Sequence, residues 1–263
     1  MRKYIISLLL VIFTGANVYA QTLEPGIMGG GMYYLGDINS KSHFKQVKPS
    51  AGVMARYNID NRWSFKFNIL RGSVADDDSL HMENLERGLE FRSSITEIGV
   101  MAEFNFWPYE VGTKNDITPY IFGGVSAFFF QPQGINPFSG VEEPLRAYGT
   151  EGQKLNSTEY RESSISIPFG IGVKYSLTDR IGLSIEWGLR KTFTDYIDDI
   201  SGNYYLDGPD QENITAALLL SDPTKSHYAE MQRGNPETKD WYAFFGISLT
   251  CKINLNSNSC AEF

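Results

Sequence analysis

The chain has 263 residues, a formal net charge of −8, 14% aromatic residues and 25 glycines. An acidic chain argues against a nucleic-acid-binding surface, which is normally basic. The glycine and aromatic content is typical of a β protein with many tight turns and close backbone approaches.

The first element is a secretory signal peptide over residues 1–20. Two basic residues precede an apolar run over residues 4–13, and Val18-Tyr19-Ala20 fits a cleavage site before Gln21. Its removal takes away two bases and no acids, so the charge of −8 becomes −10. No cysteine follows the cut, which argues against lipoprotein processing. No later apolar run approaches the length of a membrane helix.

Alternation of apolar with small or polar residues predicts eight strands in the mature chain. The clearest pair forms a hairpin, in which Ile165 to Tyr175 and Ile181 to Leu189 place large apolar side chains at every second position. In chain order the predicted strands are 26–35, 51–58, 63–72, 93–106, 119–131, 163–175, 181–190 and 240–253. Strand 119–131 is apolar on both faces, so its register stays open.

The strand lengths and connections favour a membrane barrel. Several strands approach the ~9–11 residues that cross a bilayer, and Tyr175 and Trp187 lie among the apolar positions, as in an interfacial girdle. Short connections alternate with longer ones, including a loop over residues 195–239 with a short helix at 216–220. We therefore predict an all-β, eight-stranded antiparallel up-and-down transmembrane β-barrel over residues 21–253. Its short turns, both termini and a tail over residues 254–263 would be periplasmic, in the outer membrane of a Gram-negative bacterium.

The inward faces of the predicted strands carry charge. An eight-stranded barrel has an interior just wide enough for side chains, and buried charges need partners. We therefore expect a salt-bridge network that plugs the lumen rather than a porin channel. Its members are Arg56, Lys66, Glu97, Glu103, Lys174, Glu186 and Arg190. The acidic run 76–78, in contrast, is expected to lie in a solvated loop.

Several runs resemble a known family. They are Tyr34-Leu35-Gly36-Asp37-Ile38-Asn39, Glu103-Phe104-Asn105-Phe106, Thr118-Pro119-Tyr120-Ile121-Phe122-Gly123-Gly124, Gly149-Thr150-Glu151-Gly152-Gln153, the run from Arg190 to Gly202, Arg233-Gly234-Asn235-Pro236 and Lys239-Asp240-Trp241-Tyr242. Together they resemble the PorG-like outer-membrane barrel family of the type IX secretion system. The resemblance implies a non-enzymatic component that associates with a periplasmic ring of a PorK-like lipoprotein and a PorN-like protein.

The only two cysteines, Cys251 and Cys260, leave three arrangements open. An exported chain permits disulfides, and an internal bridge would require the tail to fold back. Alternatively, Cys260 bonds a partner protein while Cys251 faces lipid, or both thiols are free. We expect the tail to be the partner-binding element.

Asp195, Asp198 and Asp199 suggest two readings. Several carboxylates close together resemble a loose cation site. Their spacing is not that of a calcium loop, which favours a structural role at the base of the longest loop, paired with bases such as Arg190 and Lys191.

A lipid-modifying enzyme is the less favoured alternative. Three serine–histidine neighbours, Ser42/His43, Ser79/His81 and Ser226/His227, fall in predicted extracellular loops, and no acid at a recognisable spacing singles out one of them. We therefore predict no catalytic residue, cofactor, metal or small-molecule substrate, with outer-membrane lipid as the barrel's surroundings. A passive structural barrel or a loop-presenting adhesin remains the alternative to a secretion component.

Overall fold

The computed structural model describes residues 21–81, 85–152, 159–206 and 215–255. The predicted signal peptide and most of the tail, including Cys260, lie outside these residues. The strands are β1 Thr22–Leu35, β2 Lys48–Asn58, β3 Trp63–Asp77, β4 Glu90–Asn105, β5 Ile117–Ile135, β6 Glu142–Pro144, β7 Ser163–Ser176, β8 Ile181–Thr192, β9 Trp241–Cys251 and β10 Ile253–Asn254.

Eight of these strands form a closed antiparallel barrel, which confirms the predicted fold. Each long strand pairs with the next along the chain, apart from β6, and β9 pairs with β1 to close the sheet. The two-residue β10 extends the pairing, with Thr22 opposite Asn254. The three-residue β6 pairs only with β5, beyond the barrel. Closure leaves no long unpaired edge inside a membrane.

Some strands extend further than the alternation predicted, although β9 is shorter than its predicted range 240–253. β1 begins at Thr22 instead of 26, and β3 runs to Asp77 instead of 72. The prediction of a solvated loop at residues 76–78 is therefore wrong. Asp76 and Asp78 are 2% and 0% exposed, because His81 contacts Asp76 and Arg87 forms a two-point contact with Asp78.

The outer wall of the barrel is apolar. Alternate residues of the predicted hairpin, such as Ile165, Ile171 and Ile185, are 55–61% exposed. Aromatic side chains lie towards both ends of the wall, with Trp63 against Phe104 near the short turns and Phe169 against Trp241 near the long loops. An apolar band flanked by aromatic residues is the lipid-facing surface of an outer-membrane barrel.

The described parts of the four long connections fold into a cap over one end of the barrel. The connections run over residues 36–47, 78–89, 136–162 and 193–240, and described apolar residues from all four enter a core continuous with the upper lumen. The predicted helix at 216–220 is present as Ala216–Ser221, where the Thr215 side chain accepts a hydrogen bond from Leu218 N–H. No helix in the described part of the chain is long and apolar enough to cross a membrane.

Candidate functional site

The first candidate site is the lumen, where Glu103 on β4 is the centre of an ionic network. Its carboxylate accepts a hydrogen bond from Arg56 Nε at 2.7 Å and lies 2.6 Å from Lys174 Nζ. Lys66 Nζ is 3.6 Å away on the other oxygen. These side chains are no more than 2% exposed. Shared counter-ions offset the large cost of removing charges from water.

Two further carboxylates continue the network along the lumen. Glu186 lies 2.6 Å from Lys66 Nζ and accepts a hydrogen bond from the Tyr120 hydroxyl. Higher up, Glu97 lies 3.1 Å from Arg190 Nε and accepts a hydrogen bond from Tyr242. The structure therefore brings all seven sequence-selected charges into the interior.

Sequence reasoning missed one member of the network. Glu24 on β1 is 1% exposed and lies 3.0 Å from Arg56 Nη1, and it also accepts hydrogen bonds from Asn58 and Thr250. The predicted strand begins at residue 26, four positions after the observed start of β1 at Thr22. Extending the same alternation backwards from Gly26 would have placed Glu24 on the inward face.

A second buried polar site lies in the cap, and two arginines tie its loops together. Arg87 donates to Asp78, to the Asp37 carbonyl at 3.1 Å and to the Arg233 carbonyl at 2.7 Å. Arg233 in turn donates to Glu151 and to the Asp199 carbonyl. Each of the four long connections thus contributes to one set of contacts. We call Tyr34, Asp37, Arg87, Glu151, Asp198, Asp199, Arg233 and Asp240 the cap cluster.

Tyr34 joins two buried carboxylates at the base of the cap cluster. Its hydroxyl lies 2.5 Å from Asp198 Oδ2 and 2.7 Å from Asp240 Oδ1, and accepts a hydrogen bond from Asp37 N–H. Burial raises the pKa of both aspartates well above the usual range, and the charge of Asp240 adds to the effect on Asp198. Because the hydroxyl has one hydrogen, it donates to one carboxylate at a time, and the raised pKa values make these aspartates easier to protonate than an aspartate in water.

The other two loop aspartates are also structural. Asp195 accepts a hydrogen bond from Ser201 at 2.7 Å, and burial raises its pKa to about 6. Asp199 accepts hydrogen bonds from Thr150 and Tyr160, and burial raises its pKa to about 7 although Arg233 opposes the shift.

The predicted partners of these aspartates are wrong, because Arg190 points into the lumen to Glu97 and Lys191 lies over the Trp241 ring. The actual cationic contacts are Arg233 at 3.9 Å from Asp199 and Lys239 at 4.0 Å from Asp195. Across the described ranges, no three acidic, histidine or cysteine side chains are grouped to hold a metal ion.

The loop histidines make contacts that sequence reasoning did not find. His81 contacts Asp76 at 2.8 Å, and His227 contacts Asp222 at 2.9 Å. In both cases the acid precedes the histidine by five residues, a shared spacing that would have revealed them. His43 instead contacts the Tyr33 hydroxyl. Among the described residues no serine hydroxyl bonds a histidine ring, and Ser226 bonds Thr224.

A model of the family described as Domain of unknown function (DUF6089) matches residues 2–262. The chain belongs to this family. No curated protein matches the DUF6089 chain.

Three solved structures are similar to this DUF6089 chain: a neisserial surface protein, an attachment invasion locus protein and an outer membrane protein. Neisserial surface protein A aligns with a TM-score of 0.47 and 11% identity, over 88% of this chain and 97% of its own. Ail of Yersinia pestis aligns with a TM-score of 0.43 and 8% identity, over 89% of this chain and 100% of its own. OprG of Pseudomonas aeruginosa aligns with a TM-score of 0.38 and 10% identity, over 89% of this chain and 95% of its own.

One cysteine candidate of the DUF6089 chain, Cys251, lies at the short-turn end. It is the last residue of β9, opposite Ile181, it is exposed, and it forms no disulfide within the described residues. Cys260 falls outside the described residues. The three arrangements of the two thiols therefore stay predictions.

Proposed function

We propose that this DUF6089 chain is a non-enzymatic outer-membrane component of the type IX secretion system. In this role it anchors or assembles the periplasmic ring of a PorK-like lipoprotein and a PorN-like protein. The observation that carries the proposal is the convergence of separate family-like runs in one cluster. Tyr34 and Asp37, Glu151, Asp198 and Arg233 come from four such runs and meet in the cap.

The closed lumen supports a role in assembly over one in solute passage. Ion pairs joining β2, β3, β4, β7 and β8 cross the interior at the level of Glu103. A barrel of eight strands already has little interior space. The surfaces available to a partner protein are therefore the outer wall, the cap and the short-turn end of the barrel.

Both ends of the described barrel lie at the short-turn end, which supports a periplasmic contact. Thr22 and Asn254 are opposite each other in the β1–β10 pairing. In bacterial barrels the short turns face the periplasm. The tail beyond Leu255 would then begin on the periplasmic side, where a ring lipoprotein resides.

Affinity capture tests this assignment. An epitope tag at Gly140 suits the purpose, because no atom lies within 4 Å of a side chain built at this turn. The tagged protein is purified from thiol-blocked outer membranes, with and without reductant, and its partners are identified by mass spectrometry. We expect recovery of a periplasmic lipoprotein together with a second ring protein. Recovery of the barrel alone would contradict the proposal.

A truncation after Leu255 tests the tail. It keeps β10 and its pairing with β1, so we expect a folded barrel that no longer captures the ring and no longer supports secretion. Cys260→Ser tests a covalent tie, and Cys251→Ser is the matched control on the barrel wall. Capture and secretion unaffected by truncation would exclude the tail as the contact.

An ordered cap favours a second function, a passive barrel that displays its loops as an adhesin. Arg87 and Arg233 hold the four loops in one arrangement, as a binding surface requires. Deleting residues 137–141, at the tip of an outlying turn, changes the displayed surface without touching either arginine. An adhesin would lose cell attachment in this variant, whereas a secretion component would keep its secretion.

A further inference from the structure

We infer that the cap contains a binding site for a saccharide, in a cavity separate from the lumen. This inference does not depend on the secretion assignment. The cavity has a volume of about 620 Å³, within the range of small-molecule sites in proteins, about 300–1,000 Å³. Residues that carry the argument are Asp37, Arg87, Tyr204, His227, Gln232 and Arg233.

The walls of the cavity are held in place from behind. Arg87 is fixed by Asp78, and Arg233 by Glu151 and the Asp199 carbonyl. Arg87 also donates to the Arg233 carbonyl. Because these bonds together tie three loops to one another, the cavity is a pre-formed feature of the cap. Pre-formed polar walls reduce the entropy lost when a ligand binds.

Tyr204 is the observation that points to a ligand. It lines the cavity and is 1% exposed, and its hydroxyl has no hydrogen-bond partner among the described residues. A buried hydroxyl without a partner is costly, and native structures rarely keep one without a reason. Its ring stacks on His227 with centroids 4.5 Å apart and planes 15° apart. This stack holds the partly exposed His227 ring at the cavity wall, beside the unused tyrosine hydroxyl.

The remaining polar groups supply both donors and acceptors. Arg233 Nη2 lies 3.9 Å from Asp199 Oδ2, beyond hydrogen-bond distance for that pair. Gln232 uses its amide nitrogen on the Gly234 carbonyl, so its oxygen is an available acceptor. His227 uses Nδ1 on Asp222, which leaves Nε2. A ligand that both donates and accepts at several positions satisfies this set.

The charge around the cavity decides between an anion and a neutral ligand. Both wall arginines already have acidic partners, Asp78 for Arg87 and Glu151 for Arg233. Asp37 and Glu86 add two further acids to the wall. An anionic ligand would meet excess negative charge, whereas a neutral polyhydroxylated one would not. A saccharide combines neutral hydroxyls with an apolar ring face for the His227 ring.

Binding measurements on the refolded full-length mature barrel in detergent test the inference. Calorimetry uses maltohexaose as a free oligosaccharide, and the delipidated core oligosaccharide of a Gram-negative lipopolysaccharide as an envelope glycan. Inorganic phosphate is the anion probe. We expect saturable binding of one saccharide and none of phosphate. The saccharide that binds identifies its source, from the medium or from the cell envelope. Failure of both saccharides, or binding of phosphate alone, would overturn the inference.

Tyr204→Phe locates the binding to the cavity. It removes the partnerless hydroxyl and keeps the stacked ring, so the cap should fold as before while saccharide affinity falls about tenfold. Tyr205→Phe is the matched control, because the neighbouring tyrosine is 43% exposed and does not line the cavity. A second variant, Leu85→Trp, narrows the cavity from an exposed wall position and should also weaken binding. Equal affinity in all three variants would place the saccharide elsewhere and overturn the inference.

Discussion

At the level of single residues, Glu103 and Asp199 illustrate two ways in which the protein holds a buried acid. Glu103 lies among three basic side chains, with Arg56 and Lys174 at 2.7 and 2.6 Å. Asp199 has one basic contact in the described part of the chain, Arg233 at 3.9 Å, and accepts hydrogen bonds from the hydroxyls of Thr150 and Tyr160. The first depends on its basic partners and the second on neutral hydrogen-bond donors, so the two respond differently to mutation.

Glu103→Ala should strongly destabilise the barrel, because it leaves three buried cations without their common counter-ion. Removing one partner from a buried ion pair lowers the free energy of unfolding by about 3–5 kcal/mol. Urea unfolding in lipid vesicles measures this loss. Glu110→Ala is the control, since Glu110 pairs with Lys252 at the short-turn end and its side chain is 39% exposed. It should cost less than about 1 kcal/mol. Equal effects would mean that the lumen network contributes little.

The cap should be less stable at neutral than at acidic pH. Burial raises the pKa of Asp195 to about 6 and that of Asp199 to about 7, whereas an aspartate in an unfolded chain titrates near about 3.9. The folded cap therefore holds protons that the unfolded chain has released, and its unfolding free energy falls as pH rises from about 4 to about 7.

Limited proteolysis of the cap between pH 4 and 8, with protease activity calibrated at each pH, measures this effect. Asp199→Asn removes one of the titrating groups. The protection of the variant's cap from protease should therefore vary less with pH than that of the parent protein. Protection that increases towards neutral pH would contradict the predicted sign. The matched control is Asp60→Asn, an exposed residue in a short turn outside the cap.

At the level of elements, β1 has a different environment on each face. Tyr33 points to the outer wall but is fully buried, because the connection 36–47 folds back along the barrel. Its hydroxyl accepts a hydrogen bond from Trp187 Nε1 at 2.9 Å and contacts His43 Nδ1 at 3.0 Å. Alternation predicts the direction of this side chain correctly, but not its exposure.

The seam between β1 and β9 depends on glycine. A Cβ atom at Gly30 would lie 2.0 Å from the Phe245 carbonyl oxygen, whereas at neighbouring Gly29 the nearest atom is 3.9 Å away. Gly30→Ala should therefore push β1 and β9 apart and lower the free energy of unfolding by about 1–3 kcal/mol, as overpacking does. Gly29→Ala should cost less than about 0.5 kcal/mol. Heat-modifiable gel migration and urea unfolding compare the two, and similar losses would show that the seam tolerates a side chain.

At the level of the whole molecule, the structure is a sealed barrel under an ordered cap. Charged side chains from five strands meet in the lower lumen, and apolar residues shared with the cap fill the upper part. The purified protein in planar bilayers should therefore show no stable ion conductance. A steady open channel in the parent protein would contradict the closed lumen and would favour a porin function instead.

The amino-acid sequence by itself determined which side of the clearly alternating strands faces lipid and which seven of their charges face the lumen. Those properties follow from the two-residue period of a strand, which is local. Strand ends such as Thr22 and Asp77 escaped prediction, because pairing with a neighbour extends a strand beyond its clear alternation.

Only the tertiary structure decided which charges pair and how the loops meet. Arg56 and Glu103 are 47 positions apart, and Arg87 and Arg233 are 146 apart. Such partners are chosen by barrel closure, which sets the distance between strands, and by the space that the cap leaves for each side chain. The sequence favoured a structural role for the aspartates of residues 195–199 but not their partners. These come from another loop, as Thr150 and Tyr160 do, or from distant positions of the same loop, as Arg233 does, where no local pattern could indicate them.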